Sequence, residues 1–183
     1  MPKNKFIGFE GLSGVGKSTI SRLFAKKIGA SLIGSIPKSF LDLRKTLDDE
    51  TASINARFLF YLAAVFEGEK SLRIALRSGM DLVVESYLYR AIAFHRGMGS
   101  NLKVSIPKDV LMPDIVFYLT CEEKERQRRR TTRGKRETYW ARLAEKNADR
   151  ILQEYQQFDM DKIDTTHLKP EDIVDKLINR LNG

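Results

Sequence analysis

Short apolar runs alternate along the chain with stretches in which apolar residues recur every three or four positions. The runs predict five strands: Phe6–Glu10, Ser31–Ile33, 81–85, Ile115–Thr120 and 162–164. The stretches predict amphipathic helices over 20–28, 51–78, 122 into the basic segment near 130, 140–155 and 170–181. This alternation predicts a three-layer α/β fold, with a parallel sheet of about five strands and helices on both faces.

Glycine and proline positions indicate where elements end. Gly79 predicts the end of the long helix, Gly68 is a candidate break within it, and Pro170 opens the last helix. The sequence has no internal repeat and no Pro/Gly/Ser-rich linker. We therefore expect a single domain over residues 1–183.

Composition narrows the class of protein. Hydrophobic residues make up 42% and charged residues 31% of the chain, as in ordinary globular proteins. The longest apolar stretch, residues 58–66, is far shorter than a membrane span, and no signal-peptide pattern opens the chain. The one cysteine, Cys121, excludes an internal disulfide and fits a reducing compartment. We expect a soluble, cytoplasmic protein.

The formal net charge of +8 comes from one place in the chain. Seven basic residues and no acidic one lie between Arg126 and Arg136, which leaves +1 for the rest. The excess is a local cluster and not a basic surface, so a nucleic-acid partner is not expected.

Three interpretations of this cluster are open: a solvated helix face, a nucleic-acid contact, and a lid over residues 126–137 that closes over ATP. We favour the lid, because Gly134 and the Thr131-Thr132 pair interrupt the helical pattern. Phosphoryl transfer also depends on cationic clamping, and the loop at 12–15 described next has no basic residue. In the lid hypothesis Arg126 binds ATP, and the catalytic candidates are Arg130, Arg133 and Arg136.

The segment 11–18, GLSGVGKS, has the G-x-x-x-x-G-K-[ST] spacing of a phosphate-binding loop. Such a loop turns successive backbone N–H groups inward, and its glycines let the main chain approach phosphates. Lys17 is expected to reach the β- and γ-phosphates of ATP, and the Ser18 hydroxyl to ligate Mg²⁺. The alternative is a chance match, but a predicted strand precedes the loop and a predicted helix follows it. The predicted ATP-binding residues are Gly11, Ser13, Gly14, Val15, Gly16, Lys17, Ser18 and Thr19.

Other candidates lie at or near the carboxyl ends of predicted strands, where ligands bind in parallel sheets. Glu85 could accept the proton of an attacking hydroxyl or hold water on Mg²⁺; the alternative is a strand-end carboxylate that caps a helix. His95 lines an acceptor pocket or is structural. Predicted acceptor-binding residues are Glu10, Tyr61, Ser86, Tyr87, Arg90 and His95. Glu10 could instead organise the glycine loop or pair with Lys17. We assign His167 to a surface turn, Cys121 to a buried thiol and Trp140 to a helix core.

With these residues assembled, the chain resembles the thymidylate kinase family of P-loop nucleoside and nucleotide kinases. The resemblance rests on residues 6–19, 81–87, 93–99, 113–119 and 163–177. It implies transfer of the γ-phosphoryl group of ATP to a nucleotide, in this family thymidine monophosphate, with Mg²⁺. It also implies, often, a homodimer packed through the long helices.

The sequence departs from the family pattern where the acceptor binds. An acidic loop residue and three phosphate-gripping arginines of the family correspond here to Ser13, Ser35-Ile36-Pro37, Ser86 and the neighbourhood of Val65. Arg57, Arg90 and Arg96 are the candidates to compensate. Two alternatives therefore stay open: a kinase of the same fold that phosphorylates a nucleoside or other small hydroxyl compound, and, more weakly, a non-catalytic nucleotide- or nucleic-acid-binding protein.

Overall fold

A five-stranded parallel sheet organises the computed structural model, which describes residues 4–132, 134 and 137–182. The strands are β1 Phe6–Glu10, β2 Ser31–Ile33, β3 Leu82–Glu85, β4 Ile115–Thr120 and β5 Asp161–Asp164. Their spatial order is β2-β3-β1-β4-β5. Phe9 of the central strand pairs with Glu85 on one side and Phe117 on the other, so the ends of three strands lie side by side. The predicted sheet is confirmed.

Eight helices surround the sheet in the described part of the chain. They are α1 Lys17–Ile28, α2 Leu41–Leu47, α3 Ile54–Arg77, α4 Leu88–Gly97, α5 Glu123–Thr132, α6 Tyr139–Lys146, α7 Ala148–Tyr155 and α8 Pro170–Asn182. A short 3-10 turn, Lys38–Phe40, precedes α2.

The helices differ from the prediction in three ways. The long helix α3 continues through Gly68, and α2 and α4 were not predicted. The predicted helix 140–155 is two helices that meet at Asn147, whose side chain donates to the Leu143 carbonyl (2.8 Å). As predicted, the helical pattern stops near the Thr131-Thr132 pair: α5 ends at Thr132, and each of the two hydroxyls donates to the carbonyl four residues earlier.

Alternation of side chains along the strands builds a core on each face of the sheet. On one face Phe9 and Phe117 meet Phe24 of α1, with ring centroids 5.4–5.9 Å apart. On the other face Phe6 and Leu82 pack with apolar residues of α3 and α4. Helices on both faces leave the carboxyl ends of the strands as the open edge of the fold, where ligands bind. No helix among the described residues is long and apolar enough to cross a membrane.

Contact between α4 and α7 depends on the absence of a side chain at Gly97. A Cβ there would lie 2.5 Å from Cγ1 of Ile151 and 2.8 Å from its backbone N and Cα. These distances are too short for any real contact, and the neighbouring atoms include main chain.

We therefore expect Gly97→Ala to destabilise the protein by ~1–3 kcal/mol, the usual effect of overpacking. Gly68→Ala is the matched control, since its Cβ would meet only Pro37 Cγ at 3.6 Å. In the middle of α3 this change should stabilise by ~0.5–1 kcal/mol, because alanine is the better helix former. Urea unfolding measures both free energies, and equal effects of the two changes would contradict the packing argument.

Candidate active site

The loop between β1 and α1 carries three glycines in the left-handed region: Gly11, Gly14 and Gly16, with φ of 133°, 97° and 100°. A Cβ at Gly11 would lie 2.4 Å from the Leu119 carbonyl oxygen, and one at Gly14 would lie 2.8 Å from the Arg126 carbonyl oxygen. The glycines therefore let the loop pass close to β4 and α5. Loops of this kind form concave anion sites from backbone N–H groups, and the N-terminus of α1 adds its dipole.

Two side chains from other elements hold the loop carbonyls. The Arg126 guanidinium donates to the Ser13 carbonyl (3.0 Å), and the Thr165 hydroxyl donates to the Val15 carbonyl (2.9 Å). The Lys17 ammonium is buried and donates to the Leu12 carbonyl (2.7 Å). Of the predicted ATP-binding residues, those that line the cavity beside the loop are Ser13, Gly14, Lys17 and Ser18; those that shape the loop and the first turn of α1 are Gly11, Val15, Gly16 and Thr19.

Ser18 and Glu85 come together as the sequence predicts. The Ser18 hydroxyl donates to a Glu85 carboxylate oxygen at 2.7 Å. A hydroxyl and a carboxylate side by side are ligands that suit Mg²⁺, which keeps waters and phosphate oxygens as its remaining ligands. The described ranges contain no group of three or more His, Cys, Asp or Glu residues that could hold a metal ion.

A cavity of about 680 Å³ extends along the open edge of the sheet, from the glycine loop to α3 and α6. Its walls include predicted acceptor-binding residues: Tyr61, Ser86, Tyr87, Arg90 and His95. Four arginines also line it, Arg44, Arg57, Arg90 and Arg130. Of the compensating candidates, Arg96 does not: it lies on the surface and donates to Gln157 (3.5 Å).

Glu10 does not line the cavity and is fully buried beneath it. One carboxylate oxygen accepts from the backbone N–H groups of Tyr87 (2.8 Å) and Arg90 (3.3 Å), and the other accepts from the Tyr155 hydroxyl (2.9 Å). Burial raises the pKa of this carboxyl, while the bonds from Tyr87 and Tyr155 oppose the rise. Glu10 thus caps the N-terminus of α4, and this structural role replaces the predicted contact with substrate.

The segment between β3 and α4 has an unusual backbone. Ser86 has a φ of 65°, the one left-handed non-glycine residue in the described ranges. Its N–H donates to the Phe9 carbonyl (2.9 Å), which continues the pairing of β3 with β1. Tyr87 follows; burial raises its pKa to about 12, and its hydroxyl has no hydrogen-bond partner among the described residues. The turn directs Ser86 and Tyr87 to the cavity wall.

Arg57 of α3 is fixed on several sides. Its guanidinium donates to Asp48 (2.9 Å), to the Tyr61 hydroxyl (3.2 Å) and to His95 (3.1 Å). It also stands over the rings of Tyr61 and Trp140, 4.8 and 4.7 Å from their centroids. Its Nε is buried without a hydrogen-bond partner in the described part of the chain.

His95 is held as a neutral ring. Its Nδ1 lies 2.6 Å from the Ala91 carbonyl and its Nε2 lies 3.1 Å from Arg57. A carbonyl can only accept and a guanidinium can only donate, so Nδ1 carries the hydrogen and Nε2 accepts. Burial lowers the pKa of His95 to about 3, with Arg57 and Arg90 contributing. The ring stacks on Phe58 with centroids 5.2 Å apart.

Arg90, in the first turn of α4, differs from Arg57. Its guanidinium carbon stands 3.5 Å from the centroid of the Phe94 ring. Among the described residues, no carboxylate pairs with its guanidinium. The backbone N–H of Arg90 donates to Glu10. Arg90 therefore brings to the cavity a guanidinium without an ion-pair partner among the described residues, although its charge also acts on the buried Glu10 carboxyl.

The arginines of α5 are mostly engaged with carboxylates. Arg126 is buried, pairs with Glu123 (2.9 Å) and Glu145 (2.5 Å) and braces the glycine loop, so it does not line the cavity as an ATP-binding residue would. Arg130 lines the cavity and pairs with Glu137 and Glu145. Although burial alone would raise it, the bonds from Arg126 hold the pKa of Glu145 below its ordinary value. The other two predicted catalytic arginines, Arg133 and Arg136, lie outside the described residues.

Among the cavity residues absent from the predicted set are Trp140, Asp48 and Arg44. Trp140 is buried, as expected of a helix core, but its ring also forms a cavity wall. Asp48 and Arg44 belong to the region of α2, a helix whose short and weakly apolar pattern was not recognised. His167 is exposed as predicted, while Cys121 is only partly buried.

Comparison with known proteins agrees with this geometry. A family model described as thymidylate kinase matches residues 9–177. A probable thymidylate kinase from Methanocaldococcus jannaschii is 31% identical over 193 residues, covering 100% of this chain and 98% of that protein. The P-loop kinase fold is shared with two solved structures, whose low identities establish the fold alone. One is thymidylate kinase from Candida albicans (TM-score 0.80, 16% identity, 98% of this chain and 92% of that chain). The other is deoxyadenosine kinase from M. mycoides with bound dATP (TM-score 0.66, 22% identity, 97% and 99%).

The neutral state of His95 predicts a specific loss of stability in acid. Between an ordinary pKa of 6.5 and a folded pKa of about 3, the unfolded state binds a proton that the folded state does not. Stability should therefore fall as the pH drops from about 6.5 towards 3, by up to about 1.4 kcal/mol per pH unit from this residue. His95→Gln removes the group that binds this proton. The difference between the unfolding free energies of wild type and variant, measured against pH, therefore isolates the contribution of His95. Parallel pH curves for the two proteins would contradict the assignment.

Proposed function

The chain belongs to the thymidylate kinase family and is an ATP-dependent nucleotide kinase, and from that premise we propose that its acceptor is a nucleoside monophosphate, with thymidine monophosphate the first candidate. One observation carries the proposal. The cavity that Lys17, Ser18 and Glu85 line is also lined by Arg90, whose guanidinium lies over Phe94 and has no carboxylate ion-pair partner among the described residues. An acceptor phosphate placed there would face the transferring group of ATP.

On the donor side, the glycine loop and Lys17 hold the β- and γ-phosphates. Ser18 and Glu85 would hold Mg²⁺, which would supply positive charge to offset that of the phosphates. In the transfer, an oxygen of the acceptor phosphate forms a bond to the γ-phosphorus while the bond from that phosphorus to the β,γ-bridging oxygen breaks. ADP leaves with the bridging oxygen.

On the acceptor side, Arg90 takes the role that the family's missing arginines would have. A guanidinium without a carboxylate partner suits a phosphate, and the Phe94 ring holds its plane in place. The Glu10 bonds fix the first turn of α4 and with it the starting point of this side chain. Because a nucleotide phosphate is already ionised, the transfer needs no general base, which leaves Glu85 available to the metal.

The alternative acceptor, a nucleoside, has one observation in its favour. Ser86 offers no charge where the family places an arginine, so the end of β3 lacks a clamp of its own. With a hydroxyl acceptor Glu85 would act as the base that takes its proton. The two alternatives therefore differ in what Glu85 and Arg90 do.

The lid and the oligomeric state complete the proposal. Arg130 is the described lid arginine that reaches the cavity, and it would stabilise charge on the transferring group together with Arg133 and Arg136. Exposed apolar residues recur along α3, at Leu59, Phe66 and Ile74, with 52%, 41% and 58% exposure. They support a homodimer packed through this helix. Light scattering measures the mass in solution, and a value of 21.0 kDa, that of one chain, would reject the dimer.

An acceptor panel tests the function. Purified protein with ATP and Mg²⁺ is assayed against nucleoside monophosphates, nucleosides and unrelated alcohols. We expect ADP formation with monophosphates and little with nucleosides. Lys17→Ala should lower kcat by at least about 100-fold, because the positive charge that contacts the transferring phosphate is lost. EDTA should abolish turnover by removing Mg²⁺. Turnover of nucleosides alone would support the alternative, and full activity of the Lys17 variant would reject the donor site.

Arg90 can be tested against a neighbour on the same helix. Arg90→Ala should raise the KM for the nucleotide about 10- to 100-fold, the contribution of charged hydrogen bonds, and leave the KM for ATP within about twofold. Arg90→Lys should recover part of the loss, because lysine keeps the positive charge but lacks the paired N–H donors of the guanidinium. Arg96→Ala is the control and should change neither constant. An unchanged KM for nucleotide in Arg90→Ala would show that another group holds the acceptor phosphate.

A further inference from the structure

Glu145 of α6 joins two arginines of α5. Its carboxylate accepts from the Arg126 guanidinium at 2.9 and 2.5 Å, and it also pairs with Nη1 of Arg130. The side chain is 25% exposed and lines the cavity. Glu145 lies 19 positions after Arg126, so tertiary packing of α6 brings the carboxylate to α5. One carboxylate therefore holds both arginines.

Both arginines adjoin the glycine loop. Arg126 donates to the Ser13 carbonyl at 3.0 Å. A Cβ at Gly14 would lie 2.9 Å from Cγ of Arg126 and 2.9 Å from Cγ of Arg130. The stem of Arg130 thus packs directly against the loop on which the phosphates of ATP would lie, and its guanidinium is within one side-chain length of that loop.

The two ends of the Arg130 guanidinium have different partners. Nη1 contacts Glu145 and the Gln127 side chain (3.2 Å), whereas Nη2 contacts Glu137. Glu137 is 43% exposed and, unlike Glu145, does not line the cavity. An exposed ion pair contributes little free energy, because water solvates both charges. The contact with Glu137 is therefore the one that a phosphate can replace at low cost.

We propose, on the basis of the proposed function, that Glu145 is a positioning residue for phosphoryl transfer. It fixes Nη1 of Arg130 while Nη2 exchanges the Glu137 carboxylate for an oxygen of the transferring phosphoryl group. A guanidinium can do both, because its N–H donors point to two sides. Through Arg126 the same carboxylate holds the Ser13 carbonyl, so the loop and the cation keep one relative position. Cations fixed in advance of the reaction are the ones that stabilise charge most effectively during it.

Three carboxylates around these arginines provide matched variants. Glu145 pairs with both Arg126 and Arg130. Of the two arginines, Glu123 pairs only with Arg126 and Glu137 only with Arg130. Changing each carboxylate in turn to glutamine removes one charge at nearly constant volume. Steady-state kinetics then give kcat and the KM for ATP separately, with whichever acceptor of the panel is turned over.

The three variants should differ in kind. Glu145→Gln should lower kcat about 10- to 100-fold, because a catalytic group displaced by about 1 Å loses rate on this order. Glu137→Gln should lower the KM for ATP about two- to fivefold, since a competitor for Nη2 of Arg130 is removed. Glu123→Gln leaves Arg126 its pair with Glu145 and should lower kcat by no more than about threefold.

A double-variant cycle shows whether Glu145 acts through Arg130. Arg130→Met removes the guanidinium and keeps an apolar stem against Gly14. In that background Glu145→Gln should lower kcat further by less than about threefold, because the group that it positions is already absent. Glu145→Asp keeps the charge but withdraws it by one methylene, and should lower kcat about three- to tenfold. If thermal unfolding shows that Glu145→Gln does not fold, the aspartate variant and its cycle with Arg130→Met decide.

Three results would overturn the proposal: a kcat of Glu145→Gln within about threefold of wild type, a loss of kcat that is undiminished in the Arg130→Met background, or an equal loss in Glu123→Gln. These results differ from failure of the proposed function. A wild type that turns over nucleosides but no nucleotide would reject the proposed acceptor and leave the role of Glu145 intact. A wild type that turns over nucleotides while its Glu145 variants keep full kcat would do the reverse.

Discussion

The buried carboxylate of Glu10 is the interaction on which the acceptor side of the cavity depends. It stands at the end of the central strand and accepts from the N-terminus of α4 and from Tyr155 of α7. A carboxylate at the positive end of a helix dipole is favourable, and here it also joins the sheet to two helices. Because α4 carries Arg90 and His95, this one group positions the helix that brings both side chains to the cavity wall. The glycine loop begins at Gly11, the next residue, so the loop and helix α4 are both positioned from the end of β1.

The donor loop has a second line of support. Arg126 holds the Ser13 carbonyl, Thr165 holds the Val15 carbonyl, and Glu145 joins Arg126 to Arg130. The arginines of the basic cluster are thus partly engaged in ion pairs and in bonds to the glycine loop. Two of the cluster's four described arginines fasten α5: Arg126 to the loop, and Arg129 to the Thr165 and Thr166 carbonyls after β5 (2.7 and 3.1 Å).

Sequence patterns predicted the sheet and the donor loop well because both depend on local signals. The five apolar runs and the glycine spacing are each contained within a few residues, and Ser18 meets Glu85 because both follow adjacent parallel strands. The acceptor side was predicted less well. Trp140, Asp48 and Arg57 meet through tertiary packing, and nothing in the spacing of residues 48, 57 and 140 indicates it. The predicted contact of Glu10 with the acceptor is wrong, because local sequence shows neither the burial of Glu10 nor its bond to Tyr155, 145 positions away.

The region of α2 has a consequence for how an acceptor enters. None of the seven residues of this helix, all of them described, is buried. It is held near α3 by the Asp48–Arg57 pair, a bond from Trp140 to the Asp49 carbonyl (3.1 Å) and a contact between the Phe40 and Phe60 rings. Contacts of this kind contribute about 1 kcal/mol each, far less than the core beneath them. Because so few contacts hold it, local opening of this corner would cost far less free energy than unfolding of the sheet, and it would uncover the part of the cavity wall that Arg44 and Asp48 form.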